Sequence, residues 1–73
     1  MNKEITITNL VGTQPYTVYI CDNTYNMCAY VTTINDVDIP FSFLVPEPYN
    51  NLTEVGIRIL DGNNCVIKSL IVI

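Results

Sequence analysis

The chain has 73 residues, 49% of them hydrophobic and only 14% charged, with a net charge of −4. A single domain of this size buries about 60–65% of the surface its unfolded chain exposes, and apolar content beyond what such a core hides is expected to meet a partner. Lys3, Arg58 and Lys68 are the only cations, which excludes the basic stripe nucleic acid requires and disfavours anionic membrane surfaces.

Residues 4–8 alternate, with Ile5 and Ile7 on one face, and no continuous apolar run precedes them. A cytoplasmic start without a signal peptide is therefore expected. Nothing approaches the run of about 18 apolar residues that a membrane helix needs. Gly12 and Pro15 then punctuate a turn region over residues 9–15.

Residues 16–33 fold back on themselves. With Cys21 opposite Cys28, Ile20 meets Ala29, Tyr19 meets Tyr30, Val18 meets Val31 and Thr17 meets Thr32. Tyr16, Val18, Ile20, Ala29 and Val31 form an apolar face. The other face carries a Thr pair, a Tyr pair and a Cys pair, the matching that cross-strand packing favours. The loop of this hairpin is residues 22–27. Cys21, Cys28 and Cys65 are an odd set. In a reducing cytosol they are expected to stay thiols and pack as small apolar groups, a disulfide between Cys21 and Cys28 being the geometric alternative. Zinc would need a fourth ligand, and the chain has no His.

Asn35 and Asp36 mark the next turn. Ile39, Phe41, Phe43 and Val45 give the strongest period-2 pattern, and Pro40, lacking an amide hydrogen, belongs at a strand start or edge. Pro46, Pro48, Asn50 and Asn51 make a stiff polar crossover, and no segment reads as helical. The sequon Asn51-Leu52-Thr53 is an accidental match without a secretory route.

The last hairpin joins residues 54–60 to residues 64–73. A two-residue turn at Asp61 and Gly62 would place Val66 and Lys68 on the face of Ile57 and Ile59. A three-residue loop over 61–63 instead aligns Cys65 and Ile67 with that face and frees Lys68. Burying an unpaired ammonium is costly, so the longer loop is expected, with Asn63 in its left-handed position. The tail Leu70, Ile71, Val72 and Ile73 is apolar on both faces, so it is either central in a covered sheet or completed by another molecule. Short strands at this spacing predict one all-β domain over residues 1–73, a sandwich or small barrel.

Catalytic chemistry is not legible. There is no His, Ser42 and Ser69 sit inside strand patterns, and Gly12, Gly56 and Gly62 stand alone rather than in a phosphate loop. Asp36 and Asp38 share one side of an extended segment but have no cleft around them. Asp22, Asp36, Asp38 and Asp61, with Asn23, Asn35, Asn63 and Asn64, are oxygen donors for calcium, yet turns select Asp and Asn for their own backbone reasons. No catalytic, cofactor or metal residue is assigned. Tyrosine suits interfaces because it buries a large area and keeps a polar handle. Tyr19 and Tyr30, together with Leu70, Ile71, Val72 and Ile73, form the expected partner surface; the alternative is that the two tyrosines pack against a second sheet. Tyr25 and Tyr49 are expected in exposed loops, where a sugar could stack.

Gly12-Thr13-Gln14-Pro15-Tyr16-Thr17 and Asp61-Gly62-Asn63-Asn64-Cys65 carry a resemblance. The Gly-x-x-Pro-Tyr entry to a strand and the Asp-x-Asn-x-Cys turn resemble immunoglobulin-like modules of Bacteroidetes surface proteins. They are similar also to short immunoglobulin-like virion proteins of crAss-like phages. Those modules tend to have Gly before the Cys, where this chain has Asn64. The resemblance implies an Ig-like β-sandwich of about six to seven antiparallel strands. It also implies a non-enzymatic role as an auxiliary (head decoration) subunit in a virion assembled in the host cytoplasm. Partners would be the major capsid protein or neighbouring structural subunits in a multi-copy assembly, with no cofactor, nucleic acid or membrane. The alternative is an adhesion module that reads host carbohydrate or protein through its loops.

Overall fold

The computed structural model describes residues 3–73. Residues 1 and 2, included above in the domain and in the reading of the chain start, lie outside the described residues. Among the described residues six strands form: β1 (Glu4–Ile7), β2 (Tyr16–Cys21), β3 (Cys28–Ile34), β4 (Phe41–Leu44), β5 (Glu54–Leu60) and β6 (Val66–Val72). Two short 3-10 turns, Asp36–Asp38 and Tyr49–Asn51, interrupt the otherwise extended chain.

The strands make two antiparallel sheets, one of order β1-β4 and one of order β3-β2-β5-β6. Alternation drives this arrangement, since every second residue of β1, β2 and β5 is apolar and turns to a common interior. Ile5 and Ile7 meet Tyr16, Val18, Ile20, Val55, Ile57 and Ile59 there, with Ile34, Val45 and Tyr49 closing the ends. The partly buried Phe41 and Phe43 pack on that cluster, their rings stacked with centroids 6.1 Å apart. Pro40 immediately precedes β4, as its missing donor requires.

The β2–β3 hairpin keeps the expected partners Cys21↔Cys28, Ile20↔Ala29 and Tyr19↔Tyr30, then slips. Val18 faces Thr32 and Thr17 faces Thr33, in place of Val31 and Thr32. Val31 is the extra residue of a β-bulge. The slip sets Ile34 opposite Tyr16, which buries Ile34 to 3% exposure and leaves Thr33 outside. Core burial of an Ile outweighs a regular ladder. The two facing cysteines are joined as a disulfide rather than remaining thiols. Their side chains leave the same face of adjacent strands at opposed positions, the placement a bridge needs.

The last hairpin has the expected faces and a different loop. Ile67 lies opposite Ile59, and Lys68 lies opposite Arg58 on the far side. The first paired residues are Leu60 and Val66, so the loop runs from residue 61 to 65 and holds Cys65, which is free and exposed. The left-handed residue is Asn64, with φ 65°, not Asn63.

Candidate interaction surface

The outer face of the four-stranded sheet carries a row in strict register. Tyr30 opposes Tyr19, Tyr19 opposes Arg58, and Arg58 opposes Lys68. The Tyr19 and Tyr30 rings meet edge to face, 6.1 Å apart at 75°. Arg58 Cζ stands 5.6 Å from the Tyr19 centroid, and Lys68 Nζ stands 5.1 Å from that of Tyr25. Each cation is thus held over the negative face of a ring. Two of the chain's three cations are gathered here, and no ion pair involves them among the described residues. A depression of about 250 Å³ opens between Tyr25, Arg58, Val66 and Lys68.

Tyr25 reaches this face because the loop after β2 is tightly bound. One carboxylate oxygen of Asp22 accepts from the N–H groups of Thr24 at 3.2 Å and Asn26 at 2.9 Å and from the Thr24 hydroxyl at 3.1 Å. The backbone of Tyr25 turns left-handed at φ 60°. Its ring lies on Gly56, where a Cβ would come within 2.6 Å of Tyr25 Cε1. Partial desolvation pushes the Asp22 carboxyl up, but the donors from Asn26, Thr24 and Met27 together hold it below the usual carboxylate value.

Around the row the surface is apolar. Tyr30, Leu70 and Val72 are 61%, 50% and 79% exposed. Ile71 and Ile73, from the same tail, turn inward and pack partly against the core. Tyr19 is half-buried by its neighbours on the face. The expected surface is therefore split, with Tyr19, Tyr30, Leu70 and Val72 outward and Ile71 and Ile73 inward. Arg58 and Lys68 were not among its expected members. Their place could have been found by extending the Tyr19–Tyr30 pairing one strand further, since β5 and β6 follow the same alternation.

The loops 22–27 and 46–51 are neighbours, because the Tyr49 hydroxyl donates to the Met27 carbonyl at 3.2 Å. Tyr49 is nevertheless buried, at 5% exposure. The expectation of an exposed Tyr49 is corrected: its ring closes the core and only its hydroxyl reaches the loop. A crossover rich in Pro and Asn hides this use, since nothing local marks one residue of it as core.

The two motifs behind the family resemblance come together at the other end of the domain. Asp61 Oδ1 accepts from the N–H groups of Asn63 at 2.9 Å and Cys65 at 2.8 Å, and Oδ2 accepts from Thr13 N–H at 3.3 Å. Gly62 N–H donates to Thr13 O at 2.6 Å, and Asn63 Nδ2 donates to the Thr13 hydroxyl at 3.0 Å. Gly12 has φ 145°, and a Cβ there would lie 2.7 Å from Asp61 Oδ2. Only glycine fits both the backbone angle and the approach. The Tyr16 hydroxyl donates to Gly12 O at 3.1 Å, and burial, then the nearby Asp36 and Asp61 charges, pushes that phenol's pKa up. The bond from Cys65 N–H, opposed by desolvation and aided by those from Thr13 and Asn63, lowers the Asp61 carboxyl. Asp61 thus builds a clamp, and by gripping Cys65 N–H it also lengthens the loop beyond the expected three residues.

Among the described residues no group of three or more His, Cys, Asp or Glu side chains converges as an ion site. No protein-family model matches the chain, and no characterised protein or solved structure matches it.

Proposed function

We propose that this chain is a non-enzymatic assembly subunit that docks through the outer face of its four-stranded sheet. The observation that carries this reading is the joining of an apolar rim, Tyr30, Leu70 and Val72, to a central tyrosine and cation row on one face of so small a domain. Tyrosine and arginine amid apolar contacts are what interface centres concentrate.

The finer fold reading is Ig-like. The orders β1-β4 and β3-β2-β5-β6 correspond to strands B-E and C′-C-F-G of an Ig-like sandwich. Together with the two resembling motifs, this supports an auxiliary virion protein of a phage, contacting the major capsid protein or a neighbouring structural subunit. Many copies, each adding modest contacts, would stabilise the shell. The test is to add purified chain to particles that lack it, then measure retention after sedimentation and resistance to heat. Stoichiometric retention lost in Tyr30→Ala and Leu70→Ser supports docking; no retention at saturating chain overturns it.

The adhesion reading keeps one supporting observation, the adjacency of loops 22–27 and 46–51. With Tyr49 buried, Tyr25 alone offers a ring, and a glycan array that gives no binder removes that reading.

A further inference from the structure

We infer that β6 is a homotypic pairing edge: two copies of this chain join their β6 strands antiparallel, centred on Ser69, into one continuous eight-stranded sheet. The inference concerns the edge, not the outer face, and does not rest on the docking reading.

The backbone sets which groups are free. Asp61 N–H donates to Cys65 O and Ile73 N–H donates to Thr53 O, both at 3.0 Å. Odd-numbered residues of β6 therefore point their N–H and C=O groups at β5, by the alternation of an antiparallel ladder. Val66, Lys68, Leu70 and Val72 point theirs away from the sheet, to an edge no strand covers. Natural edges are blunted by proline, a bulge, shortness or charge, lysine above all; the one charge on β6, Lys68, is drawn over the Tyr25 ring. β6 has no proline, no register shift and seven residues, a span of about 23 Å.

The occupant is argued from the strand's own symmetry. A second β6 can pair only with outward residues facing outward residues, which restricts the centre of the two-fold to a few positions. Centred on Lys68, the two ammonium groups would stand directly opposite, which is destabilising. Centred on Leu70, the pairing loses Val66. Centred on Ser69, all seven residues pair: Val66 faces Val72, Lys68 faces Leu70, Ile67 faces Ile71 and the two Ser69 residues face each other. Side chains also match by face. Ile67 and Ile71 line an apolar groove of about 360 Å³ between β1 and β6, with Ile5, Ile7 and Leu10 opposite. The second copy's Ile67 and Ile71 continue that lining across the mouth of the groove, which the isolated domain leaves open.

The test is sedimentation equilibrium of the Cys65→Ser chain, which removes the exposed thiol, from micromolar to millimolar concentration. A monomer–dimer equilibrium is expected, with concentration-dependent amide protection at Lys68, Leu70 and Val72. Leu70→Pro deletes an N–H that points outward and leaves the β5 ladder intact, so it should abolish the dimer. Leu70→Lys sets like charges opposite Lys68 and should weaken association about tenfold, while Lys68→Glu added to it should restore association. Ser69→Cys should cross-link copies on oxidation, because opposed residues without mutual hydrogen bonds have Cα atoms about 4.5 Å apart. A monomer at every concentration overturns the inference, as does a dimer that survives both Leu70→Pro and Leu70→Lys.

Discussion

β3 and β6 are the two edges of one sheet, each seven residues long, and they are finished in opposite ways. β3 is tied to β2 by the bridge between Cys21 and Cys28, broken in register at Val31, and polar at Thr32 and Thr33. β6 is regular along its length and exposes Val66, Leu70 and Val72. Edge strands invite further pairing unless something prevents it. Within one domain, then, one edge is closed by covalent and geometric means while the other is left ready for another strand. The difference teaches that two edges of one sheet can be finished independently, in a domain that also exposes Val11 and Val37 away from both.

The largest test of that contrast is to loosen the closed edge. Reduction of the disulfide, or Cys21→Ala with Cys28→Ala, should lower stability by about 2 kcal/mol through freed loop entropy, read by urea titration. Amides of β3 should then exchange before those of β5. Next, deleting Val31 should remove the bulge and align Val18, Thr17 and Tyr16 with Thr32, Thr33 and Ile34 in an unbroken ladder. The cost is about 1 kcal/mol of lost Val31 burial. The gain is a straight edge, so light scattering should show self-association through β3 that the parent chain lacks.

The hairpin that carries the open edge depends on Asp61. Its carboxyl pKa lies below the ordinary value of 3.8, so the unfolded chain binds more protons in acid and stability rises with pH there. The contribution is complete above the unfolded value and is lost as pH falls through the lowered native one. Asp22 is lowered as well and acts with the same sign. Asp61→Asn should therefore flatten part of the acid limb of melting temperature against pH, leaving the remainder to Asp22. The smallest effect belongs to Val72→Lys. Val72 is 79% exposed and faces Glu54 across the ladder, so monomer stability should change by no more than about 0.5 kcal/mol while solubility improves.

Much of the fold was legible because alternation is a local signal. Tyr19 with Tyr30, Cys21 with Cys28, and Ile67 on the face of Ile59 all follow from period two and pairing in kind. What was hidden depended on distant partners. Val31 bulges because Ile34 gains a place beneath Tyr16, and the loop after β5 lengthens because Asp61 grips Cys65 and Thr13. Tyr49 is core because a hairpin loop far along the chain accepts its hydroxyl. The cation row was readable in principle, but only after β5 had been laid beside β2. The sulfur chemistry was misjudged on compartment, when opposed positions on adjacent strands already supplied the geometry.

The Asp61 clamp has a kinetic consequence. It joins residues 48 and 50 positions apart in the chain, whereas the β2–β3 hairpin needs only its own loop. Closing the longer loop costs more entropy, so the hairpin belongs to the early nucleus and the clamp to the late stage of folding. Interactions absent from the transition state act on the unfolding rate alone. Asp61→Asn at neutral pH should therefore speed escape from the native state while leaving the refolding limb of the chevron where it stood, whereas acid strong enough to protonate both carboxylates also reaches Asp22 in the early hairpin and should slow refolding as well.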